Sequence, residues 1–197
     1  VGNTAISGGA LAPGNSIGVL TVNGNLSFTA ASSYMVEVSP SNADRTNVTG
    51  TATLGGATVN TSFAPGSYVA RQYTILNATG GLGGSTFGTL ANSNLPSSVT
   101  SNLSYDANNV YLNLALNFAV PGGLGGNQAN VGNALTNFFD STGGIPLAFA
   151  ALTPAGLSQV SGETAVGSQQ TTVDAMNLFM GVMTDPFLGG RGDTSAT

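Results

Sequence analysis

The feature that most constrains the fold is a segment near the start in which glycine, proline and asparagine flank a short β-branched strand. Residues 8–16 supply a turn, and Ile17, Val19 and Val22 supply one apolar strand face before a second turn begins at Asn23. Glycine and asparagine readily adopt the backbone angles of sharp corners, whereas β-branched residues suit a pleated strand. The segment therefore predicts one coil of a solenoid.

This alternation of turn and strand recurs along the first half of the chain. Further strand centres follow at residues 34–38, 52–54 and 73–76, with shorter strand-like pieces between them. Repeats of about 20 residues with several short strands each predict a right-handed parallel β-helix, in which every coil pairs its backbone with the next. A sandwich of short antiparallel strands is the alternative, because its composition of turns and strands is similar.

Composition excludes several classes of function. Only 6% of the 197 residues are charged and 41% are hydrophobic, so serine, threonine and asparagine must supply most of the polar surface. The chain contains no Cys, His or Lys, which removes thiol chemistry, imidazole metal ligands and the usual nucleophile–base pairs. A net charge of −5 with three arginines excludes the basic surface that nucleic acid requires.

The carboxylates give no sign of catalysis. All eight are scattered singly, and Asp44 beside Arg45 is typical of a solvated corner. A pair of acids from different coils could meet in space and cleave glycosides, but no spacing in the sequence points to one. We therefore expect a protein that is not an enzyme, with no catalytic, cofactor-binding or metal-binding residues and no cofactor.

A hairpin is predicted where the pattern changes. Apolar residues alternate from Leu103 to Leu116 around residues 106–109, whose Asp-Ala-Asn-Asn sequence suits a tight turn. An antiparallel hairpin would cover the last coil, whose unpaired backbone would otherwise invite edge-to-edge pairing. We therefore expect a β domain over residues 1–118 that ends in this cap.

A helical region follows the glycine-rich residues 121–126. We assign residues 119–187 to a linker and α-helices, with one helix beginning at Thr153 and Pro154, and residues 188–197 to a flexible tail. No apolar stretch is long enough for a membrane-spanning helix. Apolar side chains at helical spacing usually pack in a core. The helical region carries seven such side chains, which we expect to serve helix packing or assembly. They are Phe138, Phe139, Val173, Met176, Phe179, Met180 and Met183.

Four ordered elements resemble a known family. They are residues 9–24, 48–54, 73–81 and 103–112, and together they are similar to the C-terminal passenger region of a bacterial type V autotransporter. Residues 127–187 resemble the helical segment that connects such a passenger to its translocating β-barrel. The resemblance implies a bacterial cell-surface or extracellular location after export through the outer membrane, and the precursor's own outer-membrane β-barrel as a partner.

The resemblance also implies an autochaperone-like region over about residues 50–118, which would fold first. A solenoid grows by adding coils to a preformed edge, so it needs a stable nucleus. The same residues would equally serve an ordinary core, and sequence does not separate the two. The expected nucleus and cap residues are Tyr73, Ile75, Leu76, Leu103, Tyr105, Val110, Tyr111 and Leu112.

Three functions remain open from the sequence. The favoured one is a passenger stem that nucleates secretion-coupled folding and presents upstream regions. A second is a self-associating subunit of an extracellular filament, built by stacking solenoid edges or exchanging the helical tail. A third is a carbohydrate-binding adhesin, disfavoured because the chain has no Trp. Residues 191–193 form an Arg-Gly-Asp tripeptide, which in a glycine-rich tail is more readily a chance sequence than an adhesion motif.

Overall fold

A computed structural model describes residues 1–14, 17–64, 69–120 and 122–184. Most of these residues form β-strands or turns, and helices begin only after residue 125. The strands are β1 (Thr4–Ile6), β2 (Gly9–Leu11), β3 (Val19–Val22), β4 (Leu26–Phe28), β5 (Ser32–Val38), β6 (Arg45–Val48), β7 (Ala52–Thr53), β8 (Thr58–Phe63), β9 (Val69–Ala70), β10 (Gln72–Ala78), β11 (Thr89–Ser93), β12 (Val99–Tyr105), β13 (Asn109–Leu116) and β14 (Gly144–Ile145). The helices are α1 (Gly126–Thr142), α2 (Leu147–Ala150), α3 (Pro154–Val160) and α4 (Glu163–Thr184).

The strands form three main sheets. Sheet A has the order β1-β4-β7, sheet B the order β11-β8-β5-β2, and sheet C the order β12-β13-β10-β6-β3. Every pair in sheets A and B is parallel, as are the pairs among β3, β6 and β10 in sheet C. The chain passes through A, B and C in turn, first with β1, β2 and β3 and then with β4, β5 and β6. This confirms a mainly β chain with parallel sheets, and the antiparallel sandwich is wrong.

Glycines allow successive turns to approach closely at one corner. The amide of Gly50 donates to the carbonyl oxygen of Gly24, and the amide of Gly80 donates to that of Gly50, each over 2.9 Å. A Cβ atom at Gly80 would lie 2.7 Å from the carbonyl carbon of Gly50, so no larger residue fits without moving backbone. The corner glycines of the sequence therefore mark contact between turns, in addition to their freedom of backbone angle.

The core lies between the sheets and is built by alternation along each strand. In β5, Tyr34, Val36 and Val38 are buried while Glu37 between them is exposed. In β13, Val110, Leu112 and Leu114 are buried in the same way. Because side chains of a strand alternate between faces, this period places one face of each strand in the core.

Local capping signals position the helices. The Thr153 hydroxyl accepts a hydrogen bond from the Gly156 amide over 3.2 Å, which confirms the predicted start of α3. Phe139 of α1 is buried, whereas the neighbouring Phe138 is 49% exposed. Among the described residues, no helix combines the length and apolarity needed to cross a bilayer. The predicted flexible tail at residues 188–197, with its Arg-Gly-Asp tripeptide, lies outside the described residues.

Candidate functional site

The turn of the β12–β13 hairpin is organised by Asp106. Its Oδ1 accepts hydrogen bonds from the amides of Asn108 (2.7 Å) and Asn109 (2.6 Å). Its Oδ2 accepts from the Asn109 side chain (2.9 Å) and from the Tyr111 hydroxyl (2.7 Å). These donors, led by the Asn109 side chain, lower the pKa of Asp106 to about 2. The hydrogen bond from the Tyr111 hydroxyl to Asp106 in turn raises the pKa of Tyr111. The Asp106 carboxylate is therefore ionised, and in that form it holds the turn together.

The turn docks on a preceding corner of the chain. The Asn108 side chain donates to the carbonyl oxygens of Ala78 (2.7 Å) and Thr79 (3.2 Å). In return, the Ala78 amide donates to the Asn108 carbonyl over 2.8 Å, and the Leu82 amide donates to that of Ala107 over 2.9 Å. The hairpin thus satisfies backbone groups at residues 78–82 that would otherwise be unpaired.

All eight predicted nucleus and cap residues lie in three adjacent strands of sheet C. Strand β13 pairs antiparallel with β10 on one side and with β12 on the other. The core side holds Tyr73, Ile75, Leu76, Val110 and Leu112, all buried, with Leu103 and Tyr105 partly buried against them. Tyr111 instead lies half-buried on the outer face, where it contacts Asp106. The structure brings the eight residues together, and whether they fold first stays a prediction.

Sequence reasoning missed an aromatic cluster that joins this region to the other sheets. Tyr34 is fully buried, and its hydroxyl donates to the Ile75 carbonyl over 2.6 Å and contacts the Thr46 hydroxyl over 3.0 Å. Its ring stacks on Phe87 at 5.7 Å and packs against Phe28 at 5.8 Å. Burial raises the pKa of the Tyr34 phenol. The contact to Ile75 spans 41 residues, so no local pattern could have indicated it.

The opposite edges of the three sheets are built differently. Strands β1, β2 and β3 are the terminal strands of sheets A, B and C. Val1 reaches the free side of β3, where its amino group donates to the Thr21 carbonyl and its own carbonyl accepts from the Asn23 amide. No strand among the described residues pairs with the outer sides of β1 and β2. This end therefore presents parallel edges, in contrast to the hairpin at the other end.

Asn3 and Asn25 link successive turns of the chain through their side chains. Oδ1 of Asn3 accepts from the Asn25 amide over 2.7 Å, and Oδ1 of Asn25 accepts from the Thr51 amide over 2.9 Å. These bonds connect residues 22 and 26 positions apart. Each asparagine thus satisfies an amide of the following turn.

The apolar stripe of α4 lies outside the core. Residues 171–184 are all exposed, and the exposed fraction is 60% for Met176, 55% for Met180 and 68% for Met183. Val173 and Phe179 are similarly exposed. Within the described chain these side chains are not packed in a core, so whether the stripe serves helix packing or assembly stays a prediction. The apolar spacing correctly predicted a helix, but it does not tell which element, if any, packs against that helix.

The acidic residues also differ from expectation in one place. Asp44 is 1% exposed, so the prediction of a solvated corner at Asp44 is wrong. Its two carboxylate oxygens accept from the amides of Gly18 (2.7 Å) and Glu37 (2.9 Å), which stabilise the buried carboxylate. Among the described residues, no group of three Asp, Glu, His or Cys side chains is arranged to hold a metal ion.

A row of amide side chains crosses the outer face of sheet C. Gln72, Asn113 and Asn102 are register partners on β10, β13 and β12. The Gln72 amide donates to Asn113 over 2.7 Å, and the Asn113 amide donates to Asn102 over 3.1 Å and to the Ser104 hydroxyl over 2.8 Å. The row holds polar donors and acceptors in fixed order, at a place that the sequence did not single out.

No protein-family model matches the chain, and no curated protein matches it either. A role for this molecule must therefore come from the geometry of its two ends, its exposed helix and the outer face of sheet C.

Proposed function

We propose that sheets A, B and C are the three faces of a right-handed parallel β-helix. The repeated passage of the chain through the three sheets supports this, as do the corner bonds between residues 22 and 26 positions apart. Right-handed connections are the rule for parallel strands, because a right-twisted strand packs back onto its sheet that way. In such a fold each coil adds its backbone to an existing edge.

The function supported best is a passenger stem of a type V autotransporter, which is not an enzyme and lies at the bacterial cell surface or outside the cell. The observation that carries it is the difference between the two ends of the stack. A closed end, sealed by the hairpin and by Asn108 bonded to Ala78, supplies a formed edge on which coils add. The other end presents β1 and β2 as parallel edges for further coils.

The exposed helix α4 fits the second part of this role, which is attachment to the precursor's own outer-membrane β-barrel. A helix gains most of its stability from packing an apolar face. In α4, Thr172, Val173 and Gly181 are poor helix formers, and the described side chains from residue 171 onward are all exposed. A helix of this composition needs a partner, and the barrel is the partner that we propose.

Refolding order tests the stem directly. The full chain is refolded from urea, exposed backbone amides are labelled in short pulses, and protection is located by mass spectrometry. We expect amides of β10, β12 and β13 to become protected before those of β1 and β4, because the closed end nucleates the stack. Protection of β1 and β4 first, or of all strands together, would contradict a nucleus at the hairpin.

The parallel edges at β1 and β2 favour one second candidate, a filament in which copies stack edge to edge. Sedimentation velocity at rising protein concentration separates the two functions. A filament predicts growth that Ala10→Lys on β2 abolishes and that Asn177→Lys on α4 leaves intact, since both side chains are exposed but only Ala10 lies on an edge strand. A stem predicts a constant sedimentation coefficient for all three proteins.

A further inference from the structure

Three neighbouring open depressions lie along sheet C and share lining residues, and together we call them the sheet C groove. Its first part, about 440 Å³, includes Arg45 and Gln72, and its second part, about 580 Å³, includes Gln72, Arg71 and Thr100. A third part, about 530 Å³, shares Thr100 with the second and is walled by α1. Five strands at a spacing of about 4.8 Å give a length of about 19 Å, which suits an extended chain better than a compact ligand.

The middle of the groove presents ordered polar groups. Gln72, Asn113 and Asn102 form the amide row, and the bonds between them leave Gln72 Oε1 and Asn102 Nδ2 without a partner among the described residues. An amide offers both donors and acceptors in one plane, and hydroxyl groups of a ligand need both. This lining therefore favours a hydroxyl-rich ligand.

Positive charge is concentrated in the same place. Arg45 and Arg71 are the two arginines of the described residues, and both line the groove, where Asp140 is the one lining carboxylate. Asp44, next to Arg45, is buried and accepts from the Gly18 and Glu37 amides. The side chains that line the groove carry a net charge of +1, whereas the whole chain carries −5. Arg71 Nε lies 3.8 Å from Asp140 Oδ1 with both side chains 55% exposed, and Arg71 Nη1 donates to the Asp140 carbonyl oxygen over 3.1 Å. The ion pair is weak, and the guanidinium has further N–H groups that can donate to a ligand anion.

Aromatic residues separate two classes of sugar ligand. Neutral sugars are commonly held against exposed aromatic rings, but the two rings that line the groove, Tyr73 and Phe118, are 5% and 7% exposed. Tyr111, on the same outer face, is half-buried, and its hydroxyl donates to Asp106. Recognition must then rest on hydrogen bonds and charge, and a guanidinium is well suited to a carboxylate. We infer that the sheet C groove binds an extended segment of an acidic polysaccharide, with Arg45 and Arg71 on its carboxylates and the amide row on its hydroxyls.

Calorimetric titration of the full chain with a hexamer of galacturonic acid tests this inference. The fully methyl-esterified hexamer is the matched control ligand, because it keeps the sugars and linkages and removes the charge. We expect the acid hexamer to bind and the ester to bind at least about tenfold more weakly, since charge-assisted hydrogen bonds are roughly twice as strong as neutral ones. Equal binding of the two hexamers, or no heat with either, would overturn the inference.

Variants locate the site. Arg71→Gln and Arg45→Gln should each weaken binding of the acid hexamer at least about fivefold, because each removes one bidentate donor. Arg191→Gln is the matched control, since it removes the same charge outside the described residues, and it should bind as the unmodified chain does. Circular dichroism verifies that the variants are folded. Equal effects of all three variants, or tighter binding of a thymidine oligonucleotide than of the hexamer, would contradict a groove for acidic sugars. The stem function does not enter this test, so either proposal can fail alone.

Discussion

Strand β13 and helix α4 both carry apolar side chains at regular spacing, but only those of β13 are buried. In β13, Val110, Leu112 and Leu114 are buried, whereas in α4 Met176 and Met180 are more than half exposed. Strand β13 has hydrogen-bonded neighbours on both sides and a core behind it, while the described part of α4 has no cover. Apolar spacing thus sets which face a segment can bury, and only a partner element determines whether burial occurs.

The two regions also differ in what holds them in place. The hairpin is fixed by its register with β10 and by polar contacts at its turn, such as those of Asp106 and Asn108. Helix α4 has backbone hydrogen bonds of its own and few supports from other elements. Elements with few buried contacts open at low free-energy cost. This difference agrees with the proposal that the hairpin end nucleates the fold and that α4 packs against a partner.

The largest expected effect separates these regions directly. Leu112→Ala should lower the free energy of unfolding by about 2–5 kcal/mol, because it removes a fully buried side chain and leaves a cavity. Met180→Ala is the matched variant in α4, and since Met180 is 55% exposed the change should stay within about 0.5 kcal/mol. Urea denaturation measures both. Equal losses would mean that α4 is packed in solution as firmly as the hairpin.

A smaller effect is expected at the glycine corner, where successive turns of the chain touch. A Cβ atom at Gly50 would lie 2.7 Å from the carbonyl oxygen of Gly24, and this oxygen accepts the Gly50 amide. Gly50→Ala should therefore cost about 1–3 kcal/mol, because the backbone must shift. Gly126→Ala is the control, since no atom lies within 4 Å of the added methyl group, and it should change stability by less than about 0.5 kcal/mol. A loss at Gly126 as large as that at Gly50 would argue against close contact between turns.

Much of the fold could be predicted because its signals are local. The Asp-Ala-Asn-Asn turn and the Thr153–Pro154 helix start each depend on a few consecutive residues, and both occur as expected. The eight residues expected at the cap lie in three neighbouring strands because alternation within a hairpin determines its buried face. Local chemistry was sufficient wherever the partner lay within one hairpin or one helical turn.

The remaining features depend on contacts between distant residues. The Tyr34 hydroxyl donates to the carbonyl oxygen of Ile75, which lies 41 positions along the chain. The amide of Gly18, which stabilises buried Asp44, lies 26 positions from it. The amide row joins Gln72 to Asn113 only after the register of β10 and β13 is set. No window of sequence contains both partners, so neither the buried Asp44 nor the sheet C groove could be predicted from spacing.

The smallest expected effect concerns acid and tests the polar anchoring of the hairpin. The pKa of Asp106 is lowered to about 2 from an ordinary value of 3.8, chiefly by the Asn109 side chain and then by Tyr111. A carboxylate whose pKa is lower in the folded state stabilises that state above its unfolded pKa, and the contribution disappears as pH falls through the folded value. The stabilisation by Asp106 should therefore be complete at pH 5 and decline between about pH 4 and pH 2.

Thermal melts from pH 5 to pH 2 measure this for the unmodified chain and for Asp106→Asn. We expect the unmodified chain to melt higher at pH 5, and the difference to shrink toward pH 2 as the carboxylate gains its proton. Tyr111→Phe removes one donor to Oδ2, so its pH dependence should lie between the other two. If the difference in melting temperature between the unmodified chain and Asp106→Asn stays constant over this range, the charge of Asp106 does not stabilise the turn. The hairpin would then differ from α4 by packing and not by its charged anchor.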